Sequence, residues 1–142
     1  MDFCSTRNRD LRVTSAQAIL QGLSEDGGLF TPVSLPSFSA QQIEDMAKMN
    51  YRQVAEIVLS AFLPDYTREE IAGFVEGAYG KQFDVPEVAP VRKFREGAYS
   101  LELWHGPTCA FKDMALQMLP HLLSASLVKT DEHKTACILV AT

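Results

Sequence analysis

The sequence predicts an α/β protein: a mostly helical region over residues 1–83, then the start of a truncated parallel-sheet domain over residues 84–142. Three observations carry this. Amphipathic stripes, several opened by a capping pair, succeed one another through the first region. Composition shifts near Phe83 to a proline-containing linker followed by strand-like runs. The most hydrophobic run of all, residues 135–142, suits a strand covered on both faces of a parallel sheet.

Thr14 with Gln17 forms a capping-box pattern and opens a helix through Ile19, Leu20 and Leu23. Gly27-Gly28 then makes a turn, and Leu29-Phe30-Thr31-Pro32 reads as a short extended segment stopped by proline. Ser39 with Gln42 is a second box, whose helix carries Ile43, Met46 and Ala47 on one face. Tyr51, Val54, Ala55, Val58, Leu59 and Phe62 form one continuous stripe that reads as core, ended by Pro64. Thr67 with Glu70 caps a helix whose buried face is Ile71, Phe74, Val75, Ala78 and Tyr79, with Gly80 as its stop. Residues 84–90 hold two prolines and read as a linker. Residues 91–94 and 99–104 read as strands around a Glu96-Gly97 turn. A helix is expected over residues 111–127, with Pro120 forcing a kink or an early break, since proline in a regular helix costs about 3 kcal/mol. A chain whose last element is this apolar predicts a truncated protein, with an uncovered sheet edge open to self-association.

The chain has 142 residues, 13 Lys+Arg against 18 Asp+Glu, and a net charge of −5. An acidic balance removes the electrostatic reason to expect nucleic acid. No apolar run reaches the roughly 18–20 residues that span a bilayer, and the polar first ten residues do not read as a signal peptide. Cys4, Cys109 and Cys137 are widely spaced and form no metal-ligand pattern, which reads as three reduced thiols in the cytoplasm.

One segment carries chemistry. His105-Gly106-Pro107-Thr108 is a turn, Thr108 stands where a helix cap would, and Lys112 follows near the start of an apolar helix. On pattern alone this lysine has two explanations. It is a solvated charge, paired with Asp113 or Glu102. Alternatively it is an amine placed where its charge is disfavoured, by a helix N-terminus and by burial among Phe111, Trp104 and Leu116. Such placement lowers the amine pKa and yields the nucleophile that imine chemistry requires.

The string Glu102-Leu103-Trp104-His105-Gly106-Pro107-Thr108-Cys109-Ala110-Phe111-Lys112-Asp113 closely resembles the E-L-F-H-G-P-T-x-A-F-K-D signature of threonine synthases. Ser5-Thr6-Arg7 and the stretch from Gly22-Leu23 through Asp26-Gly27-Gly28-Leu29 to Pro32 are similar to that family's S-T-R-G and G-L-x-x-D-G-G-L-x-x-P patterns. Ile138-Leu139-Val140-Ala141-Thr142 is similar to the strand that leads into its S-G-D-T-G loop. The matches come in family order along the whole chain. Asn8 stands where the family has Gly, and Trp104 where it has Phe.

The resemblance implies the tryptophan synthase beta-like fold, with residues 84–142 as the first part of its pyridoxal-phosphate domain. It implies conversion of O-phosphohomoserine and water to threonine and phosphate by the parent protein. Lys112 is then the catalytic residue, holding pyridoxal 5'-phosphate as a Schiff base and moving protons once freed. Phe111, Asp113 and His105 are further candidates for the cofactor pocket, although a helix dipole alone accounts for an acid at 113 and an H-G-P histidine also satisfies backbone groups. Cys109 reads as a packing residue. The loop that cradles the cofactor phosphate is expected after Thr142, so the chain by itself is expected to be inactive. Two other readings are a threonine synthase-like phospholyase of the same fold and a non-catalytic helical interaction module.

Overall fold

The computed structural model describes residues 1–133 and 135–139. It begins with a strand, β1 (Phe3–Ser5), followed by helix α1 (Ser15–Gln21) and strand β2 (Phe30–Pro32). β1 and β2 pair antiparallel, with Phe3 opposite Pro32 and Ser5 opposite Phe30. Three helices follow: α2 (Ala40–Met46), α3 (Tyr51–Phe62) and α4 (Arg68–Tyr79). A hairpin of β3 (Val91–Arg95) and β4 (Ala98–Leu101) comes next, then the one-turn helix α5 (Asp113–Leu116) and α6 (Leu119–Lys129). The mixed helix-and-strand class is the one the sequence predicts.

The first four helices start the same way. Thr14, Ser39, Asn50 and Thr67 each accept the amide three residues on, and Gln17, Gln42, Gln53 and Glu70 each reach back to the cap amide. Each such cap contributes about 1 kcal/mol. The Asn50–Gln53 box is additional to the three read from the sequence. The Thr67 amide, together with Lys129 2.9 Å away, holds the Glu70 carboxyl below the ordinary range.

The core forms where α1 packs on α6, α3 on α4 and α4 on α6. Ile71, Val75 and Ala78 of α4 are wholly buried, joined by Ala16, Leu63, Tyr66, Tyr79, Phe83, Val88 and Met118. This is the face of α4 that its periodicity predicts. Burial pushes the Tyr66 and Tyr79 phenols up. Their hydroxyls are used instead as ties, Tyr66 to Ser126 at 2.6 Å and Tyr79 donating to the Met114 carbonyl at 2.7 Å.

Several expectations need correction. The face of α2 is not buried: Ile43 is exposed, because no described element packs across it. The α3 stripe is only half-buried. Tyr51, Ala55, Leu59 and Phe62 lean on the core, while Val54 and Val58 line an open apolar groove beside Tyr79. The helix expected over residues 111–127 divides into α5 and α6, with Pro120 in the first turn of α6, where its missing N–H is harmless. The strand expected over 135–142 lies partly outside the described residues. Residues 135–139 take no regular structure, since no described strand lies beside them to complete a ladder. Both sheets among the described residues are antiparallel pairs.

Candidate active site

Lys112 lies at the end of a loop that the sequence marks with Gly106, Pro107 and Thr108. It occupies the cap position of α5 in helical conformation, and its carbonyl accepts the Leu116 amide at 2.8 Å. Its side chain is exposed. Lys48, Lys93 and Lys129 are tied to Asp45, Glu96 and Glu70, whereas the amines of Lys81 and Lys112 have no carboxylate partner among the described residues. The expected pairing with Asp113 or Glu102 is absent. So is the expected burial: Phe111, Trp104 and Leu116 are 65%, 50% and 51% exposed. The reason is geometric. α5 is a single turn, and no described element faces its outer side.

Beneath the lysine the structure is tightly held. Asp113 is 1% exposed and is neither paired with a cation nor turned outward. One carboxylate oxygen accepts the Thr108 amide and the other the Thr108 hydroxyl, both at 2.8 Å. Thr108 is therefore not a helix cap. Cys109, expected to pack, is exposed and sits at φ 58°, a left-handed conformation that costs a non-glycine residue roughly 1 kcal/mol. The Cys109 amide donates to the Gly106 carbonyl at 3.1 Å and closes the turn. Farther along, Tyr79 holds the Met114 carbonyl, and Met118 is buried in the core. The lysine thus stands on a platform anchored to α4.

The front of the same loop is held by His105, whose ring is almost enclosed. Nδ1 lies 2.7 Å from an Asp84 oxygen and Nε2 lies 2.9 Å from a Glu102 oxygen. Both ring nitrogens donate only when the imidazole is protonated. The hydrogen bond to Glu102, with Asp84 adding to it, raises the His105 pKa above its ordinary value. Arg92 of β3 approaches Glu102 at 4.0 Å and also pairs with Glu87. His105 therefore joins the linker to the residues after β4.

The sign of its pH effect follows. A raised folded-state pKa stabilises fully below the unfolded value near 6.5, and that contribution is lost as pH rises through the folded value. The stability difference between wild type and His105→Gln is expected to be larger at pH 6 than at pH 9. Urea unfolding of both proteins across that range checks it. A difference that stays constant with pH would show that the ring's protonation is irrelevant.

The other two matching motifs also meet. The Ser5 hydroxyl donates to Asp26 at 2.8 Å, the Gly28 amide donates to the same oxygen at 2.8 Å, and Arg7 reaches the Asp26 carbonyl at 2.9 Å. The Ser5 and Gly28 bonds hold the Asp26 carboxyl below its usual range. Gly27, at φ 75°, makes the turn. Sequence reading singled out both motifs and missed their joining, as it missed the grip of Asp113 on Thr108.

Of the cofactor suggested by the lysine motif, these residues fit one end. The unpaired amine of Lys112 suits an aldehyde, and its platform fixes where that amine starts. No glycine follows Gly106, so nothing after the lysine in this chain forms a glycine-rich phosphate cradle.

Comparison with known proteins agrees with the motifs. Residues 2–79 match the family described as Threonine synthase N terminus. A threonine synthase from Methylobacillus glycogenes is 35% identical, over all of this chain and 31% of its own length. The human protein named Threonine synthase-like 1 is 34% identical, over 89% of this chain and 17% of its own. Among solved structures, a PLP-bound threonine synthase from Brucella melitensis superposes with a TM-score of 0.87 at 35% identity, covering 93% of this chain and 28% of that one. The yeast enzyme gives 0.84 at 29% identity, over 93% of this chain and 27% of that one. The chain therefore spans about a third or less of the proteins it matches. With its helical region, its lysine loop and these relatives in agreement, the chain belongs to the threonine synthase family and corresponds to the family's N-terminal part.

Proposed function

We propose that this chain is the N-terminal part of a pyridoxal-phosphate-dependent lyase that converts O-phosphohomoserine and water to threonine and phosphate in the cytoplasm. The observation that carries the reading is an unpaired Lys112 amine on a fixed platform, within a loop that matches the family signature at every fixed position except Trp104. When bound, the cofactor supplies an electron sink for carbanion chemistry. This chain's own residues do the rest. Lys112 holds the cofactor and carries protons, because its amine is a nucleophile when neutral and an acid when protonated. Asp113, Thr108 and His105 hold the loop. Phe111, exposed beside the lysine, would line the cofactor pocket.

In this reading residues 1–83 form the helical N-terminal region and residues 84–142 open the cofactor domain, the two sharing one core through Met118 and α6. Exposed Ile138 and Leu139 support self-association of the chain by itself. No helix among the described residues is long and apolar enough to cross a membrane. A second reading, a phospholyase acting on another phosphorylated amino alcohol, is favoured by the match to a Threonine synthase-like protein. Assay of the full-length parent on both substrates separates the two.

The test on this chain is to mix it with pyridoxal phosphate, reduce with borohydride and map the label. Lys112 is expected to be labelled in preference to the other lysines, with no phosphate released from O-phosphohomoserine. Label spread evenly over the lysines both here and in the full-length parent overturns the assignment of Lys112; spread in this chain alone means that selectivity needs the remainder of the parent.

A further inference from the structure

We infer that Asp113 is a positioning residue for Lys112, acting through Thr108 rather than by touching the cofactor; this rests on the reading of Lys112 given above. The carboxylate is enclosed, and both its oxygens are engaged by the Thr108 amide and hydroxyl. It follows Lys112 directly, so whatever fixes its side chain fixes the lysine's backbone. Gly106 is part of the same arrangement. A Cβ there would lie 2.5 Å from the Asp113 Cβ, so the turn and the acid are packed backbone to side chain. Between these two contacts Cys109 is held left-handed, a conformation that persists only where its surroundings over-determine it. The grip on Thr108, the residue just before, is that constraint.

The chemistry separates this role from a charged contact with a ligand. Asparagine at 113 can accept the Thr108 amide with its oxygen and donate its NH2 to the Thr108 hydroxyl, keeping both bonds without the charge. Alanine keeps neither. Valine at 108 removes one bond and leaves Asp113 in place.

The experiment measures two quantities on Asp113→Asn, Asp113→Ala and Thr108→Val, each checked for retained helicity. The first is borohydride-trapped pyridoxal phosphate on Lys112 relative to the other lysines. The second, needing no cofactor, is the backbone order parameter of Lys112 from nitrogen-15 relaxation. Asp113→Asn is expected to hold both near wild type. Asp113→Ala is expected to lower the Lys112 preference by about tenfold or more and to drop the order parameter from about 0.85 to below about 0.6. Thr108→Val is expected to fall between, and it serves if Asp113→Ala does not fold. Two outcomes overturn the proposal: an Asp113→Asn protein as impaired as Asp113→Ala, or a rigid Lys112 in both folded Asp113→Ala and Thr108→Val. Unselective labelling of wild type, repeated in the full-length parent, would instead sink the assignment of Lys112, with the order parameters still deciding the role of Asp113.

Discussion

Replacing Ile71 by alanine is expected to lower the unfolding free energy by about 2–5 kcal/mol. Ile71 is wholly buried on α4, the helix that packs against both α3 and α6, so the cavity would open at the centre of the core. It shares the core cluster with Val75 and Ala78 of the same helix and with Met118 at the start of α6, all fixed by the surrounding helices and therefore poorly able to collapse inward. A domain of this size is stable by only about 5–15 kcal/mol, so the substitution removes a large part of the total. Ile71→Val should cost about 0.5–1.5 kcal/mol, as expected for the loss of one methylene. Urea denaturation followed by far-ultraviolet circular dichroism reads both. A loss below about 1 kcal/mol for the alanine variant would show that α4 is not the centre of the core.

Gly106→Ala is expected to cost about 1–3 kcal/mol and to disable the lysine loop as well. Gly106 is buried, and the added methyl would meet the Cβ, one carboxylate oxygen and the Cγ of Asp113 at 2.5, 2.6 and 2.9 Å. Asp113 cannot swing aside without giving up the Thr108 amide and hydroxyl. The turn must move instead, carrying Lys112 with it. Trapping of pyridoxal phosphate on Lys112 should fall about as far as in Asp113→Ala, although no hydrogen-bonding group has been removed. Full retention of Lys112 labelling in a folded Gly106→Ala protein would mean that the turn tolerates displacement without affecting the lysine.

What was legible in the sequence follows a physical division. Capping boxes are read easily because their chemistry spans three residues, and Thr14, Ser39 and Thr67 open helices as expected. The buried face of α4 was legible because periodicity reports burial when a helix has a neighbour on one side. The same reasoning failed for Ile43 of α2, which has the pattern but no described element packed closely across it. β1 was invisible, as three residues cannot display alternation and its partner stands far along the chain. At the site, Lys112 was identified by motif resemblance, since residue pattern alone left two explanations open. The roles of its neighbours were not legible. The hold of Asp113 on Thr108 depends on the left-handed turn at Cys109, and nothing in the composition announces that conformation. Of the two explanations, the enclosed lysine is not what the described residues show, because apolar neighbours in sequence bury a group only when another element covers them.

The packing of α1 against α6 also shapes how the chain acquires its structure. The helices with capping boxes draw on local contacts and can form within microseconds of being freed from the ribosome. The core they share is not local. Ala16 near the amino terminus waits for Met118 and the face of α6, which leave the ribosome after every other described helix. Closing so long a loop carries an entropic cost that grows only logarithmically with length, but it must be met before the contacts return anything. A nascent chain halted before α6 emerges therefore presents well-capped helices around an open seam, the kind of surface that chaperones bind.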